Sequence, residues 1–457
     1  RDNNRLADLI ELDFRMTANY LTYASHLFSG RTNPTRLNKD WLSKPRKKDL
    51  SAYLEAAIGN NQVGQSLADL LPRSAQYTNL RQQLMHYAAI GARGGWPAVS
   101  DPASLRKGGS GPAVAALKMR LMRTGDLDST RLETRSETQL GTRSAGVATV
   151  SSVPGRDRFD AQVETALKNF QERHGQDPTG RVDSATLAEL NVSAAQRIQQ
   201  IELNMERLRW QSDSGLGSNY LLVNVPEFRA RVIEGNRVPL TMRVIVGREF
   251  TSTPIFTDTL EYLVFSPDWT VPKSIIEKEM LPRIRENTDY LEKHDLWVFK
   301  TWEAGDTIPL DPKAVDWTDV KVADYRVVQK PGPRNPLGLV KFMFPNPMAI
   351  YLHDTPADHL FGAEQRGLSH GCVRVEKPLE LAEYLLREKE GEWGRDSLLV
   401  HRRAEKPRIV RLARKIPIRI TYQTAWVDER GRVNFRADLY DHDKVQTKAI
   451  TRKEKAL

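Results

Sequence analysis

The sequence predicts an α+β protein, with a helix-rich N-terminal half followed by a mostly β domain that carries a helical insertion. Three observations predict it. Apolar residues recur at helical spacing as far as residue 210, as in Leu6, Leu9 and Ile10 or Ile198, Ile201, Met205 and Leu208. From about residue 218 the pattern changes to short β-branched runs over 220–225, 229–233 and 242–246, with Glu234-Gly235-Asn236-Arg237 as a turn between two of them. Finally, a strand–loop–helix passage over 349–386 holds Cys372, the only cysteine in 457 residues.

Length alone suggests about three domains, at one per ~150 residues. Residues 1–100 read as a helical scaffold, with Leu54, Ala57 and Ile58, then Leu80, Leu84, Tyr87 and Ala88, on helical faces. His26 and His86 are isolated there, which suits structural or surface roles. Residues 104–192 form a second helical unit. Pro112 opens a helix with Val114, Leu117 and Leu121; Phe159, Val163, Leu167 and Phe170 mark another; Asp183 caps a third, carrying Leu187 and Leu190. Within this unit, 129–156 is rich in Ser, Thr, Gly and Arg and reads as a mobile loop. Residues 194–212 read as an amphipathic connector helix. The β domain runs over 218–402, interrupted by charged, helical sequence at 272–324 that includes Trp297, Trp302 and Trp317. Long excursions of this kind are often lids. In the tail, 403–457, Ile416, Ile418, Ile420 and Tyr422 alternate, as do Val433, Phe435, Ala437 and Leu439. Glu429-Arg430-Gly431-Arg432 is read as joining them into a hairpin that packs on the β domain.

A hydrophobic content of 40% supports real cores. The net charge of +10 is compatible with nucleic acid, an anionic membrane surface or an acidic polymer, and equally with a solvated surface. No nucleic-acid motif stands out, so nucleic acid is not an expected partner. A single cysteine excludes an intramolecular disulfide, and no run of about eighteen apolar residues is present to span a bilayer. Arg1 is not an initiator Met, so the chain reads as trimmed, with any signal or anchor outside it.

The chemistry concentrates around Cys372. Residues 349–352 are an apolar run that delivers His353 at its end, 360–368 read as a loop, and Pro378 can begin a helix. Such a loop can fold the thiol back beside His353. An imidazole within reach takes a thiol proton, and a third group must orient the imidazole. Gly371 lets the backbone approach closely, so the N–H groups of Gly371 and Cys372 are candidate donors to an oxyanion. Taken alone, a lone Cys is more often a small buried hydrophobe.

The wider pattern resembles a known family. His353, eighteen intervening residues, then Ser369-His370-Gly371-Cys372-Val373-Arg374, preceded by Pro331-Gly-Pro-Arg-Asn-Pro-Leu-Gly338 and Lys341-Phe-Met-Phe344, resembles the L,D-transpeptidases of the YkuD type over about 218–402. The resemblance implies Cys372 as nucleophile, His353 as base and the backbone carbonyl of Asp354 as the group orienting the ring. It places His370, Gly371 and Cys372 around an oxyanion hole, with Arg374 and Ser369 toward substrate. Trp269 and Tyr351 are candidate pocket walls, with ordinary core packing equally open for both. The insertion is similar to one that covers the cleft in the large murein L,D-transpeptidases of Gram-negative bacteria. Phe170-Gln-Glu-Arg-His-Gly175 and the segment 177–187 resemble a three-helix peptidoglycan-binding domain, with wall binding and a purely structural role both open.

By this resemblance the protein is a periplasmic enzyme that acylates itself on a stem tetrapeptide, expels D-Ala and forms 3→3 cross-links. It is expected to be acylated by carbapenems, to need no metal or cofactor and to work beside other wall-synthesis proteins. The alternatives are an L,D-carboxypeptidase that trims stems and a non-catalytic wall-binding scaffold.

Overall fold

The computed structural model describes residues 2–43, 46–100, 102–128, 157–211, 216–300, 308–318, 320, 324–389, 393 and 406–454. The loop read at 129–156 lies outside the described residues. The chain divides into two compact units, Arg1–Asp213 with Tyr422–Leu457, and Ser214–Thr421.

The first unit is helical, as its periodicity requires. Helices Leu50–Gly59 and Ala75–Ala92 begin at side-chain caps, Asp49 accepting from the Ser51 and Ala52 amides and Ser74 from that of Tyr77. The three helices Pro112–Arg123, Ala161–Arg173 and Ser184–Leu190 enclose a core of Val114, Leu117, Leu121, Phe159, Leu167, Phe170 and Leu190. Asp183 caps the third through the Thr186 amide at 2.7 Å, as expected.

The helix Ala194–Trp210 starts with a reciprocal cap between Ser193 and Gln196. It is more than a connector. Its stripe of Ile201, Met205 and Leu208 packs with Tyr77, Leu80 and Tyr87, and with Ala425, Val427, Val433 and Phe435 from the tail. Its polar residues are buried too, so they need partners. Arg207, fully buried, ion-pairs with Asp443 at 2.5 Å and donates to Gln446 at 3.0 Å. Helical spacing reveals one apolar stripe; it is silent on polar residues buried by pairing with a distant tail.

The second unit is built on a nine-stranded sheet, in the order β10-β3-β11-β9-β8-β4-β12-β1-β2. Its strands are β1 Asn219–Asn224, β2 Arg229–Glu234, β3 Arg237–Gly247, β4 Phe256–Phe265, β8 Val340–Met343, β9 Leu352–His353, β10 Gly367–Ser369, β11 Val373–Val375 and β12 Arg408–Thr421. Helix Pro378–Leu386 follows with Pro at its start, as the sequence predicts; its buried face is Leu381, Ala382, Leu385 and Leu386, with Leu381 in place of the expected Leu379, which is half-buried.

Two expectations need correction. The tail does not form one hairpin from Ile416 to Leu439. β12 pairs with β4 and, in parallel, with β1, placing Ile418 beside Leu221. The hairpin is instead β13 Ala425–Val427 with β14 Val433–Phe435, and it belongs to the helical unit. Alternation marks a strand but does not name its partner. The second correction concerns the insertion, which is not purely helical. β5 Trp269–Thr270, β6 Leu296–Phe299 and β7 Arg326–Gln329 make a separate three-stranded sheet, ordered β5-β7-β6. This sheet and the helices Leu281–Glu286 and Asp289–Lys293 enclose a core of their own that includes Val271, Ile276, Met280, Ile284, Leu291, Val298 and Trp317. Among the described residues, no helix is long and apolar enough to cross a membrane.

Candidate active site

Strand register assembles the site. Cα pairing sets Val373 beside Leu352, Arg374 beside His353, Lys341 beside His353 and Phe342 beside Leu352. Paired residues share a face and neighbours alternate. Lys341, His353 and Arg374 therefore lie on one face, with Tyr351 and Cys372 flanking the paired strands on the same side. Leu352, Val373 and Phe342, all at 0% exposure, fill the other. Sequences 351–353 and 372–374 each alternate polar–apolar–polar because one side of this sheet is core and the other carries the candidate site residues.

His353 is 5% exposed, and its Nδ1 lies 2.5 Å from the Asp354 carbonyl oxygen. That contact assigns the N–H to Nδ1 and leaves Nε2 to receive a proton. Burial, reinforced by the positive charge of Arg374, lowers the imidazole's pKa to about 3, against the weaker opposing pull of the carbonyls of Asp354 and Pro336. Cys372 keeps part of its surface open, and its Sγ faces the Ala349 carbonyl at 3.8 Å. Burial away from water raises the thiol's pKa, while hydrogen bonds from Tyr351 and the charges of Lys341 and Arg374 pull it back. The resting pair is thus a neutral thiol and a neutral imidazole, beside cations that favour the sulfur once it is charged.

The carboxylate of Asp354 has a separate task. Its Oδ2 accepts from the Leu339 amide at 2.7 Å and its Oδ1 from the Thr355 amide at 2.7 Å, fixing the strand end against the 331–338 loop. Gly338 sits at φ +59°, where an added Cβ would press into that carboxylate. Gly338→Ala is therefore expected to lose about 1–2 kcal/mol from its left-handed backbone alone, and to slow Cys372 acylation by disturbing the group that orients His353. Urea unfolding alongside acylation rates checks both effects.

The nucleophile loop is fastened from one side. The Ser369 carbonyl accepts from the Arg248 amide and from Thr251 Oγ1, both at 3.0 Å, and Thr253 Oγ1 donates to the Gly371 carbonyl at 2.8 Å. Gly371 has φ +117°, a conformation that favours glycine. Two expectations change here. Ser369 is 2% exposed and its hydroxyl donates to the Cys372 carbonyl at 2.6 Å, so it supports the loop and does not face substrate. The Gly371 amide donates to Ser369 Oγ at 3.1 Å, so it is already engaged. Among the three amides expected around an oxyanion, that of Gly371 is therefore occupied within the loop.

Other residues divide. Tyr351 is beside the thiol, with burial and then the neighbouring sulfur raising its own pKa well above the ordinary value. Its ring lies 4.6 Å from Lys341 Nζ. Arg374 approaches both Cys372 and His353; its pKa is lowered by burial and by Arg248, and its Nε is buried with no hydrogen-bond partner. Trp269 instead packs on the core of the insertion, the core-packing role left open for it. The sequence reading did not single out Lys341 or Arg248. The alternation Lys341-Phe342-Met343-Phe344, with both Phe side chains buried, carried the signal for the first.

Comparison with known proteins points to the same stretch of chain. Residues 218–401 match the YkuD family, described as "L,D-transpeptidase catalytic domain"; residues 1–84 match a "Scaffold domain" and 110–190 a "Putative peptidoglycan binding domain". A curated Haemophilus influenzae protein named "Putative L,D-transpeptidase" is 33% identical over 247 residues, covering 54% of this chain and 48% of that protein. The chain thus spans about half the length of the curated relative it matches. Solved L,D-transpeptidases from Stackebrandtia nassauensis and Xylanimonas cellulosilytica align at 14% and 12% identity, over 71% and 69% of this chain and 96% of each of theirs. Their TM-scores of 0.23 and 0.20 are too low to carry an argument about the whole chain. The span that matches the YkuD L,D-transpeptidase catalytic domain, residues 218–401, is the one that builds the face holding Cys372 and His353.

Proposed function

We propose that the protein is a murein L,D-transpeptidase that forms 3→3 cross-links through a thioester on Cys372. The observation that carries the reading is the single sheet face on which a partly open thiol, a buried neutral imidazole held through Nδ1 and a guanidinium with an unpartnered Nε come together. Arg374 suits a substrate carboxylate, which gives that Nε a partner. Cys372 attacks the carbonyl of the third stem residue as His353 Nε2 takes the thiol proton. The oxyanion is met by the amides of His370 and Cys372. Collapse breaks the bond to D-Ala, whose departing amine receives the proton from the imidazolium. A side-chain amine of a neighbouring stem then attacks the thioester, giving its proton to His353 as the new amide forms and the sulfur leaves. A carbapenem acylates the same sulfur by opening its strained lactam. Work on peptidoglycan stems implies an exported, periplasmic location and wall-synthesis enzymes as neighbours.

The test is mass spectrometry of disaccharide-tetrapeptides incubated with the protein. Cross-linked dimer and free D-Ala support transfer. Tripeptide without dimer would make the protein an L,D-carboxypeptidase, and unchanged substrate would leave a non-catalytic scaffold.

The insertion is proposed as a lid that favours the amine over water at the thioester. Its ends lie side by side, since Thr270 pairs with Val328, so a short Gly-Ser turn can replace 272–324 without stretching the chain. The expected result is a Cys372 that still forms a lactam adduct, though more slowly because Glu279 is lost with the insertion, and a lower ratio of dimer to tripeptide. An unchanged ratio in a folded deletion variant removes this role.

A further inference from the structure

His370 lies between two residues whose carbonyls are fixed by the 248–253 segment, yet its own side chain reaches elsewhere. Its Nε2 lies 2.8 Å from Oε1 of Glu279, ninety-one residues away on the insertion. Glu279 is held out for this contact by an unusual turn. Residues Ile276–Met280 are π-helical, with the Leu281 amide reaching back to the Ile276 carbonyl. Pro282 follows, and with no N–H to donate it cannot continue the regular ladder. Ile276 and Met280, at either end of the turn, are buried in the core of the insertion at 2% and 6% exposure. The π turn is thus anchored at both ends while Glu279, between them, stays about half exposed.

We propose that Glu279 is a positioning residue: by accepting a hydrogen bond from His370 it sets the 369–372 loop so that the His370 and Cys372 amides converge on the oxyanion. The inference rests on the acyl-transfer reading above and adds to it a part of the insertion that acts on the chemistry, not only on access. The bond is solvent-exposed on both sides, with side-chain exposures of 36% for His370 and 51% for Glu279. Exposed pairs add little to folding, so its loss affects geometry more than stability. The effect is also selective. Alkylation of a thiol develops no oxyanion, whereas lactam opening does.

Glu279→Ala and Glu279→Gln in the full chain therefore separate the possibilities. Three readouts are needed: the rate of Cys372 acylation by a carbapenem, the rate of its alkylation by iodoacetamide, and Tm. For Glu279→Ala, acylation is expected to slow about tenfold, less than the roughly 10²–10³ lost when an oxyanion donor is removed outright. Alkylation and Tm stay at wild-type values. Glu279→Gln, whose amide oxygen still accepts from the ring, keeps near-wild-type acylation. The proposal is overturned if Glu279→Ala acylates at the wild-type rate, if alkylation falls in parallel with acylation, or if Glu279→Gln is as slow as Glu279→Ala. A wild type that is alkylated but never acylated overturns the acyl-transfer reading and this inference together; a wild type acylated no faster than Glu279→Ala overturns this one alone.

Discussion

Cys372→Ala is expected to abolish acyl-enzyme formation and to reduce turnover of stem tetrapeptide by roughly 10⁴–10⁶-fold, the scale of losing a covalent nucleophile. The chain has no other cysteine to take over. The side chain is small and partly exposed, so the variant keeps its fold. Its Tm should match the wild type while intact-mass spectra after carbapenem treatment show no adduct. A persistent adduct in Cys372→Ala would move the nucleophile elsewhere and undo the proposed mechanism.

His353→Ala is the second large effect. Loss of the base should slow acylation by the 10²–10⁴ typical of general acid–base catalysis, and more if thiolate formation fails as well. The same residue predicts an unusual pH profile. With an imidazole near pKa 3 and a thiol raised above its ordinary value, both groups are neutral across the neutral range. Proton transfer between them does not then depend on pH. The kcat/KM for acylation should be flat from about pH 5 to pH 8, with its acid limb near the depressed imidazole value and not near the ordinary 6.5. An acid limb centred on pH 6–7 would show that His353 titrates as a solvated imidazole. Stability follows in the same direction. The unfolded chain takes up this proton near 6.5 and the folded one only near 3, so the contribution is complete above 6.5 and is lost as pH falls toward 3.

Local pattern was enough for the parts of the site that lie within one element or one loop. The apolar run before His353 located the strand end but not its length: the strand is only Leu352–His353, and Ala349 sits in a left-handed turn at φ +53°. The alternation at 220–225 and 242–246 gave β1 and part of β3. What local pattern cannot carry is which distant segment meets which. Residues 416–422 alternate in the same way whether they pair with a hairpin partner or with β1 and β4. Glu279 reads as one charge in a charged helix until its π turn brings it to His370. The helix Ala194–Trp210 read as a connector from its one apolar stripe; Asp443 and Thr424, which partner its buried Arg207 and Asn204, are more than two hundred residues further on. Ser369 was misread for a related reason, since a hydroxyl that closes a loop and one that meets substrate look alike in sequence.

The placement of β12 bears on how this protein comes into being. Strand β1 cannot gain its parallel neighbour until 408–421 has been synthesised, and the helical unit likewise awaits Ala425–Val427 and Val433–Phe435 to cover its long helix. Both units are therefore closed by the same late stretch of polypeptide, and neither can fold to completion as it leaves the ribosome. Pairings of such long sequence separation form slowly, so the large sheet and the long helix stay incomplete until the end of synthesis, while the cores within 99–190 and 271–327 have all their residues earlier. A stop codon anywhere before 408 should cost the cell both halves at once, leaving a product for proteases to clear.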